Sequence, residues 1–342
     1  MRFLRIYIAF KSSKVNFCIV AISRFVGKKK QFFLSRPAQQ KVCALALSFA
    51  PVQARVFRNS SMRLITLYFV LICLSRPHAF CQEKTHSTEP YALVAGGSKG
   101  IEHAIAEALA KRKFNLILVA RHLDALENAA HQLEERYGVD VEILQYDLSE
   151  ETSAEKISTW CIERKIPLKV LCNVAGYGGV NDYLSLPLDT LRYMVNLNLE
   201  SCMALTQLLL PLLSQNKPAY VLNVSSMAGF APIPSKNMYS ATKSAVVFFS
   251  YSLRNQLRKK DISVSCLAPG PVYTKPSIKK DTESKLGWLG KKMAVRPQRV
   301  GEVSVKRMLK GRMLIIPGTL AKTTSVLIRV LPRDGPPVFI IK

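Results

Sequence analysis

From residue 91 onward the chain alternates two kinds of hydrophobic pattern. Seven short apolar runs, Tyr91 to Ala95, Asn115 to Ala120, Val141 to Tyr146, Leu168 to Cys172, Tyr220 to Val224, Ser263 to Leu267 and Met313 to Ile316, have the length and continuous apolar character of buried parallel strands. Between them lie longer stretches with helical spacing, among them Ile101 to Lys111, Leu123 to Tyr137, Leu188 to Leu213 and Asn237 to Lys260. Strand and helix in alternation predict a doubly wound parallel sheet joined by right-handed crossovers.

Three of these junctions carry chemistry. The first strand runs into Gly96-Gly97-Ser98-Lys99-Gly100-Ile101, a Gly-rich turn that opens a helix. That arrangement turns backbone N–H groups toward a pyrophosphate. The run Tyr220 to Val224 ends beside Ser226, and thirteen residues later comes Tyr239, followed at i+4 by Lys243. On a helix that spacing puts phenol and ammonium on one face. A phenol with a pKa of about 10 is a poor acid–base group at neutral pH, and a neighbouring ammonium is expected to lower it. Tyr239 can then give a proton to a carbonyl oxygen or take one from an alcohol, with Ser226 bonded to the same oxygen.

A nucleotide-binding turn, a serine at a strand end and a Tyr/Lys helix, in this order, resemble the short-chain dehydrogenase/reductase family over about residues 90 to 330, nearest to its reductases of ketoacyl and hydroxysteroid type. The resemblance implies an α/β, Rossmann-type doubly wound sheet of about seven strands, with helices on both faces, in a single catalytic domain. It implies Asn198, Ser226, Tyr239 and Lys243 as catalytic residues, with Asn198 holding a water against the lysine. It also implies cofactor contacts from Gly96, Ser98, Lys99, Gly100, Ile101, Arg121, Asp147, Asn173, Ala175, Gly176, Tyr239, Lys243, Pro269, Gly270, Val272 and Thr274. Asp147 belongs beside the adenine, and as a lone Asp it also reads as a helix cap. Pro269 to Thr274 belongs over the nicotinamide, and is otherwise simply a turn.

Three positions depart from the family pattern: Ala95 stands for Thr, Glu102 for the last Gly, and Val174 for a second Asn. Glu102 suits the helix dipole without a ligand and opposes a bound pyrophosphate. The second strand ends in Ala120-Arg121 rather than an acid, and Lys99 sits inside the Gly-rich turn. Two cations where a 2′-phosphate lies favour NADP(H) over NAD(H), although both also fit a solvated surface.

Charge separates the ends from the middle. The chain has 342 residues and a net charge of +26, yet residues 1–61 hold 12 Lys/Arg and no acid, and residues 275–342 hold 16 basic and 4 acidic residues. The middle is nearly balanced, so the catalytic region is not generally basic. We therefore divide the chain into an acid-free extension, 1–61, spurious or a leader; a signal-like or anchor segment, 62–82; a catalytic domain, 83–334; and a tail, 335–342. Met62-Arg63 precedes the uncharged run Leu64 to Leu74, too short to span a bilayer. A transit peptide or a solvated basic arm are the alternatives. The place of action stays open between cytoplasm, membrane association and export. Ala321 to Val330 mixes apolar and cationic residues, and reads as a membrane-surface segment or a docked terminal helix.

The eight cysteines form no Cys-x-x-Cys pair and no Cys/His cluster, so neither metal nor obligatory disulfide is expected. The expected activity is NADP(H)-dependent interconversion of a carbonyl and a secondary alcohol, with an apolar substrate under the loop Ser277 to Val295. The partners expected are that substrate and a second copy of the chain, not nucleic acid. The alternative class is a weakly active or inactive member of the same fold that binds nucleotide or a partner; Glu102 and Val174 motivate it.

Overall fold

The computed structural model describes residues 89–330 apart from 97, 180–182, 232 and 275–293; the side chains of 234 and 326–330 are also left aside. The extension 1–61, the segment 62–82, the tail 335–342 and all but the last two residues of the loop 277–295 lie outside the described residues.

Seven strands form one parallel sheet: β1 (Tyr91–Ala95), β2 (Asn115–Ala120), β3 (Val141–Gln145), β4 (Leu168–Asn173), β5 (Ala219–Val224), β6 (Ile262–Leu267) and β7 (Leu314–Ile315). Their order is β3-β2-β1-β4-β5-β6-β7. The chain winds outward one way from β1, then returns to β4 and winds the other way. The crevice where that order reverses lies at the carboxyl ends of β1 and β4, the place where this kind of sheet binds ligands.

Alternation within each strand fills two cores. Ala92 and Val94 of β1 and Leu116 and Leu118 of β2 face one side, with Ile105 and Leu109 of α1 (Gly100–Ala110), Leu126 and Leu133 of α2 (Leu123–Tyr137), and Val300, Val305 and Met308 of α7 (Pro297–Leu309). Leu93, Ile117 and Val119 face the other side. There they meet Ile157 and Cys161 of α3 (Ser153–Glu163), Leu205 and Leu209 of α5 (Ser201–Gln215), and Leu253 and Leu257 of α6 (Asn237–Leu257). Each such fully buried aliphatic side chain contributes about 1.5–3 kcal/mol. The helices lie on both faces, as the alternation predicts.

The structure corrects several boundaries and one role. The stretch Leu188 to Leu213 is not one α-helix: α4 (Leu188–Val195) passes through a π-helical turn, Asn196–Glu200, into α5. The α-helical part of Asn237 to Lys260 stops at Leu257, and a 3₁₀ turn follows. Two helices escaped the hydrophobic pattern. α3 buries mainly small residues, and α7 opens with Pro297 and carries Gly301, both loop-like in sequence. Asp147 is not a helix cap. α3 starts after Thr152, and the Asp147 carboxylate instead accepts the backbone N–H (2.9 Å) and hydroxyl (2.7 Å) of Ser149, closing a turn. The terminal helix α8 (Thr319–Val330) buries Ala321 against Ala268 and Ile316, so its first half is docked on the domain.

The contact between α1 and α7 fixes the helix that carries the Gly-rich turn. A Cβ on Gly301 would fall inside the backbone carbonyl of Ala104. Helix propensity alone makes Gly→Ala in a helix interior favourable by about 1 kcal/mol. Here the obstructing atoms are backbone, so relief requires moving α1 as a body, which costs about 1–3 kcal/mol or more. Gly301→Ala should therefore lower the unfolding free energy measured in denaturant; a rise would mean that α1 and α7 are not in close contact.

Candidate functional site

The Gly-rich turn takes its shape from two residues. Gly96 (φ +104°) and Gly100 (φ +64°) occupy backbone conformations that side chains disfavour. A Cβ at Gly96 would lie 3.0 Å from the Ala175 backbone nitrogen, so the turn rests directly on the segment after β4. A Cβ at Gly100 would lie 3.3 Å from the Thr274 methyl, which places the loop after β6 across the start of α1. Val272 pairs with Val295, and Met227 donates its N–H to the Pro269 carbonyl at 3.0 Å, pinning that loop. Lys99 is exposed at the N-cap of α1, and Ile101 packs into the core beneath.

Glu102 does not turn away. Its Oε2 lies 3.8 Å from where a Cβ of Gly100 would stand, so the carboxylate faces the turn. Its charge is also felt at Lys243 across the crevice.

On the other wall, Ser226 stands close enough to Tyr239 to act on its phenol. Ser226 stands in extended backbone just past β5, where its Oγ also accepts the Ala228 N–H at 3.2 Å. Lys243, 3% exposed, donates to the Val224 carbonyl at 2.8 Å, and its Nζ is 6.0 Å from the Tyr239 ring centre. The ammonium was expected to lower the Tyr239 pKa. Instead burial pushes the phenol up, with Ser226 opposing, because the ammonium is directed at Val224 rather than at the phenol oxygen. A raised phenol is held protonated at neutral pH, the state a proton donor needs.

Asn198 sits in the π-helical turn and is fixed on three sides. Its Oδ1 accepts the Tyr177 N–H (2.7 Å), and its Nδ2 donates to the Tyr177 carbonyl (2.9 Å) and the Thr242 hydroxyl (3.1 Å). Gly176 lies between Asn198 and Lys243: a Cβ there would be 3.0 Å from Lys243 Nζ and 3.3 Å from Asn198 Oδ1. Asn198, Ser226, Tyr239 and Lys243 thus surround one end of the crevice. Asn173 lies beneath it, 6% exposed. Its amide nitrogen is spent on Asn223 Oδ1 (2.8 Å) and Thr206 Oγ1 (2.9 Å), and Asn223 bonds on to Ser250 (3.0 Å). Asn173 is therefore a strut between β4, β5 and α5. Its Oδ1 finds no protein partner; Asn173 helps line a cavity of about 10 Å³ with Asn198, Ser201 and Cys202, large enough for one water.

The partner of Arg121, and a glycine beside Tyr239, are residues that the pattern of the chain did not single out. Arg121, at the end of β2, donates to the Tyr193 hydroxyl at 2.9 Å and lies 3.8 Å from Asp147. Tyr193 in turn meets Tyr177 edge-on, ring centres 5.7 Å apart. Within its amphipathic helix Tyr193 gave no signal. Gly178 had one, in the Gly-rich run after Ala175: a Cβ there would be 3.1 Å from the Tyr239 ring.

A family pattern described as short chain dehydrogenase matches residues 90–285. The chain belongs to this family. It is similar to the very-long-chain 3-oxoacyl-CoA reductase of Mus musculus, 34% identical over 200 residues, which cover 57% of this chain and 64% of that protein. It therefore spans less than two thirds of the length of that relative. Among solved structures, a 7β-hydroxysteroid dehydrogenase superposes with a TM-score of 0.65 at 20% identity, covering 70% of this chain and 92% of that one. A short-chain dehydrogenase from Sphingobium yanoikuyae in complex with NADPH superposes with a TM-score of 0.60 at 24% identity, covering 73% and 99%. At these identities the two structures establish the fold: a seven-stranded parallel sheet of Rossmann type.

Lys243 is held down to about 8 from an ordinary 10.5, by burial first. The Cys202 and Cys266 thiols beside it are themselves pushed up to about 12 by burial and so carry no charge at neutral pH. Between about pH 8 and 10.5 the unfolded chain binds the proton that the folded one has lost. The charged ammonium thus costs stability below pH 8, and the cost fades as pH rises through that window. Lys243→Met should raise the melting temperature at pH 7, by up to about 3 kcal/mol of stability. The gain should shrink toward pH 10. A gain that does not vary with pH, or a loss at every pH, would contradict this account of the buried charge.

Proposed function

We propose that the protein is an NADP(H)-dependent oxidoreductase that interconverts a carbonyl and a secondary alcohol, with Tyr239 as the proton donor and acceptor. The observation that carries this reading is the convergence of Ser226, Tyr239 and the buried Lys243 at the end of the crevice, with Lys243 Nζ 6.0 Å from the Tyr239 ring centre. A carbonyl oxygen that accepts from both hydroxyls is polarised toward attack at its carbon. Nicotinamide cofactor, when bound, supplies the hydride.

The residues present fit that cofactor, with one exception. Gly96 and Gly100 leave the backbone of the turn bare, and the N-terminus of α1 favours a pyrophosphate there. Arg121 at the end of β2 is the cation for a 2′-phosphate, with Lys99 beside the turn, and Asp147 borders the same end. Ala175, Gly176, Pro269, Gly270, Val272 and Thr274 would line the nicotinamide half. Ser226 and Tyr239 would hold the substrate oxygen, and Asn198 would fix the Tyr177 backbone and the floor beneath Lys243. Glu102 is the exception, since its carboxylate faces the turn that a pyrophosphate would occupy.

For the substrate class, the similarity to a very-long-chain 3-oxoacyl-CoA reductase favours a 3-oxoacyl thioester over a small ketone. The placement of Glu102 favours a second reading, an inactive member of the family that keeps the fold. Activity and binding measured together separate the two.

Tyr239→Phe should leave NADPH binding intact and lower turnover of a 3-oxoacyl thioester by orders of magnitude. Undiminished turnover would remove Tyr239 from the mechanism, and tighter binding of NADH than NADPH by the unaltered protein would overturn the reading of Lys99 and Arg121. Glu102→Gly removes a like charge and bulk from the phosphate turn, and should tighten NADPH binding by about tenfold in calorimetry. Equal affinities would show that the carboxylate does not oppose the cofactor. No nicotinamide binding by either form would leave the inactive reading in place.

A further inference from the structure

In a parallel sheet every strand begins at the same edge. Here that edge, opposite the crevice, gathers the turns that lead from each helix into the next strand. Into the four adjacent strands β4, β5, β6 and β7 lead Arg164-Lys165, Lys217, Arg258-Lys259-Lys260 and Lys310-Gly311-Arg312. These turns hold eight cations and a single acid, Asp261. Neighbouring strands lie about 4.8 Å apart, so the cations of adjacent turns stand within about one Debye length of one another at physiological salt. All eight cations are exposed, and among the described residues no ion pair engages them.

The other described turns do not share this excess. The turns into β1, β2 and β3 carry Lys111, Arg112 and Lys113 against Glu89 and Asp140, and Arg112 is committed to Glu302 at 2.9 Å. The described loops of the opposite edge carry Lys99, Arg121, Lys236 and Arg296 against Asp147, Glu150 and Glu151. Such concentration on one face costs repulsive energy, which the helix C-termini that end at this edge offset only in part.

Two neighbours of the cations are apolar. Ile162, 47% exposed, stands one residue before the end of α3, beside the exposed Glu163, and two residues earlier the half-buried Trp160 lies under the Arg164 guanidinium at 4.4 Å. An aromatic ring at the rim with aliphatic surface and cations around it suits the boundary between lipid headgroups and acyl chains. Exposed aromatic rings on which bases could stack are missing from these four turns.

We propose that the edge formed by the turns into β4–β7 is a docking surface for an anionic lipid bilayer, which leaves the crevice at the opposite edge facing water. Surface cations next to anionic lipid each strengthen binding by about fivefold, and salt screens the effect.

The test uses the full chain and vesicles of phosphatidylcholine, alone or with about one third phosphatidylserine. The unaltered protein should sediment with the anionic vesicles and lose at least tenfold in affinity on pure phosphatidylcholine or in high salt. Joint replacement Lys165→Glu, Lys217→Glu, Lys259→Glu, Lys260→Glu and Lys310→Glu should weaken anionic-vesicle binding by at least about 100-fold. The same five positions changed to Arg should retain it. If the Glu variant loses its native circular dichroism, the Gln set gives the same comparison. Unchanged binding by a folded variant would move the contact to the basic extension and overturn the proposal. So would equal binding to uncharged vesicles, no binding to either, or displacement from vesicles by duplex DNA.

Discussion

An ammonium that is 3% exposed has to be surrounded by dipoles, and the crevice is arranged around that requirement. Lys243 donates to the Val224 carbonyl at the end of β5. The residue after that strand, Ser225, returns a hydrogen bond of 2.7 Å to the Lys243 carbonyl, so side chain and backbone of one lysine tie α6 to β5. Tyr239, one turn earlier on α6, can then occupy only a narrow range of positions relative to Ser226, which follows Ser225. The placement of the reacting hydroxyls is a consequence of where the buried charge finds a carbonyl.

Small residues make that placement attainable. Gly176 and Gly178 leave room for Lys243 Nζ and the Tyr239 ring, and a Cβ on Gly229 would lie 2.8 Å from the Lys243 carbonyl. Behind them the Asn173–Asn223–Ser250 chain of hydrogen bonds crosses from β4 through β5 to α6. Its groups are buried, so leaving any one unpaired would cost about 1–3 kcal/mol, which makes the arrangement rigid as well as stable. The glycine turn on the facing wall is held by a different contact, that of Ala104 with Gly301, and the two walls meet where Gly96 rests on Ala175.

Much of this was legible along the chain, and what was not has a common cause. Strand cores such as Leu93 or Val221 announce themselves because burial on both faces selects a continuous apolar run, and Tyr239 with Lys243 is readable because both lie on one helix turn. Asn196–Glu200 resisted because a π-helical turn changes the register of a helix without changing which residues are apolar. α7 resisted because Gly301 answers to Ala104, nearly two hundred residues away, and a local reading sees only a helix breaker. Tyr193 and Arg121 meet across 72 residues, and Glu102 faces a turn that also meets Thr274. The expectation that Lys243 would lower the Tyr239 phenol failed for the same reason. It followed from helix spacing, whereas the direction of the ammonium is decided by a carbonyl on β5.

The two edges of the sheet can be charged independently because the strands hold them apart. The six residues each of β4, β5 and β6, at about 3.3 Å per residue, put about 15–20 Å of apolar sheet between the turns before them and the crevice beyond. That distance is about two Debye lengths at physiological salt, so the cationic edge adds little to the potential at the glycine turn. Among the described residues, charge at the crevice is then a local matter of Lys99, Glu102, Arg121, Asp147 and Lys243. This also explains why composition misleads for this chain. A net charge of +26 reads as general affinity for anions, whereas residues 1–61 alone hold 12 of the cations with no acid and lie outside the described residues, and the described crevice carries both signs.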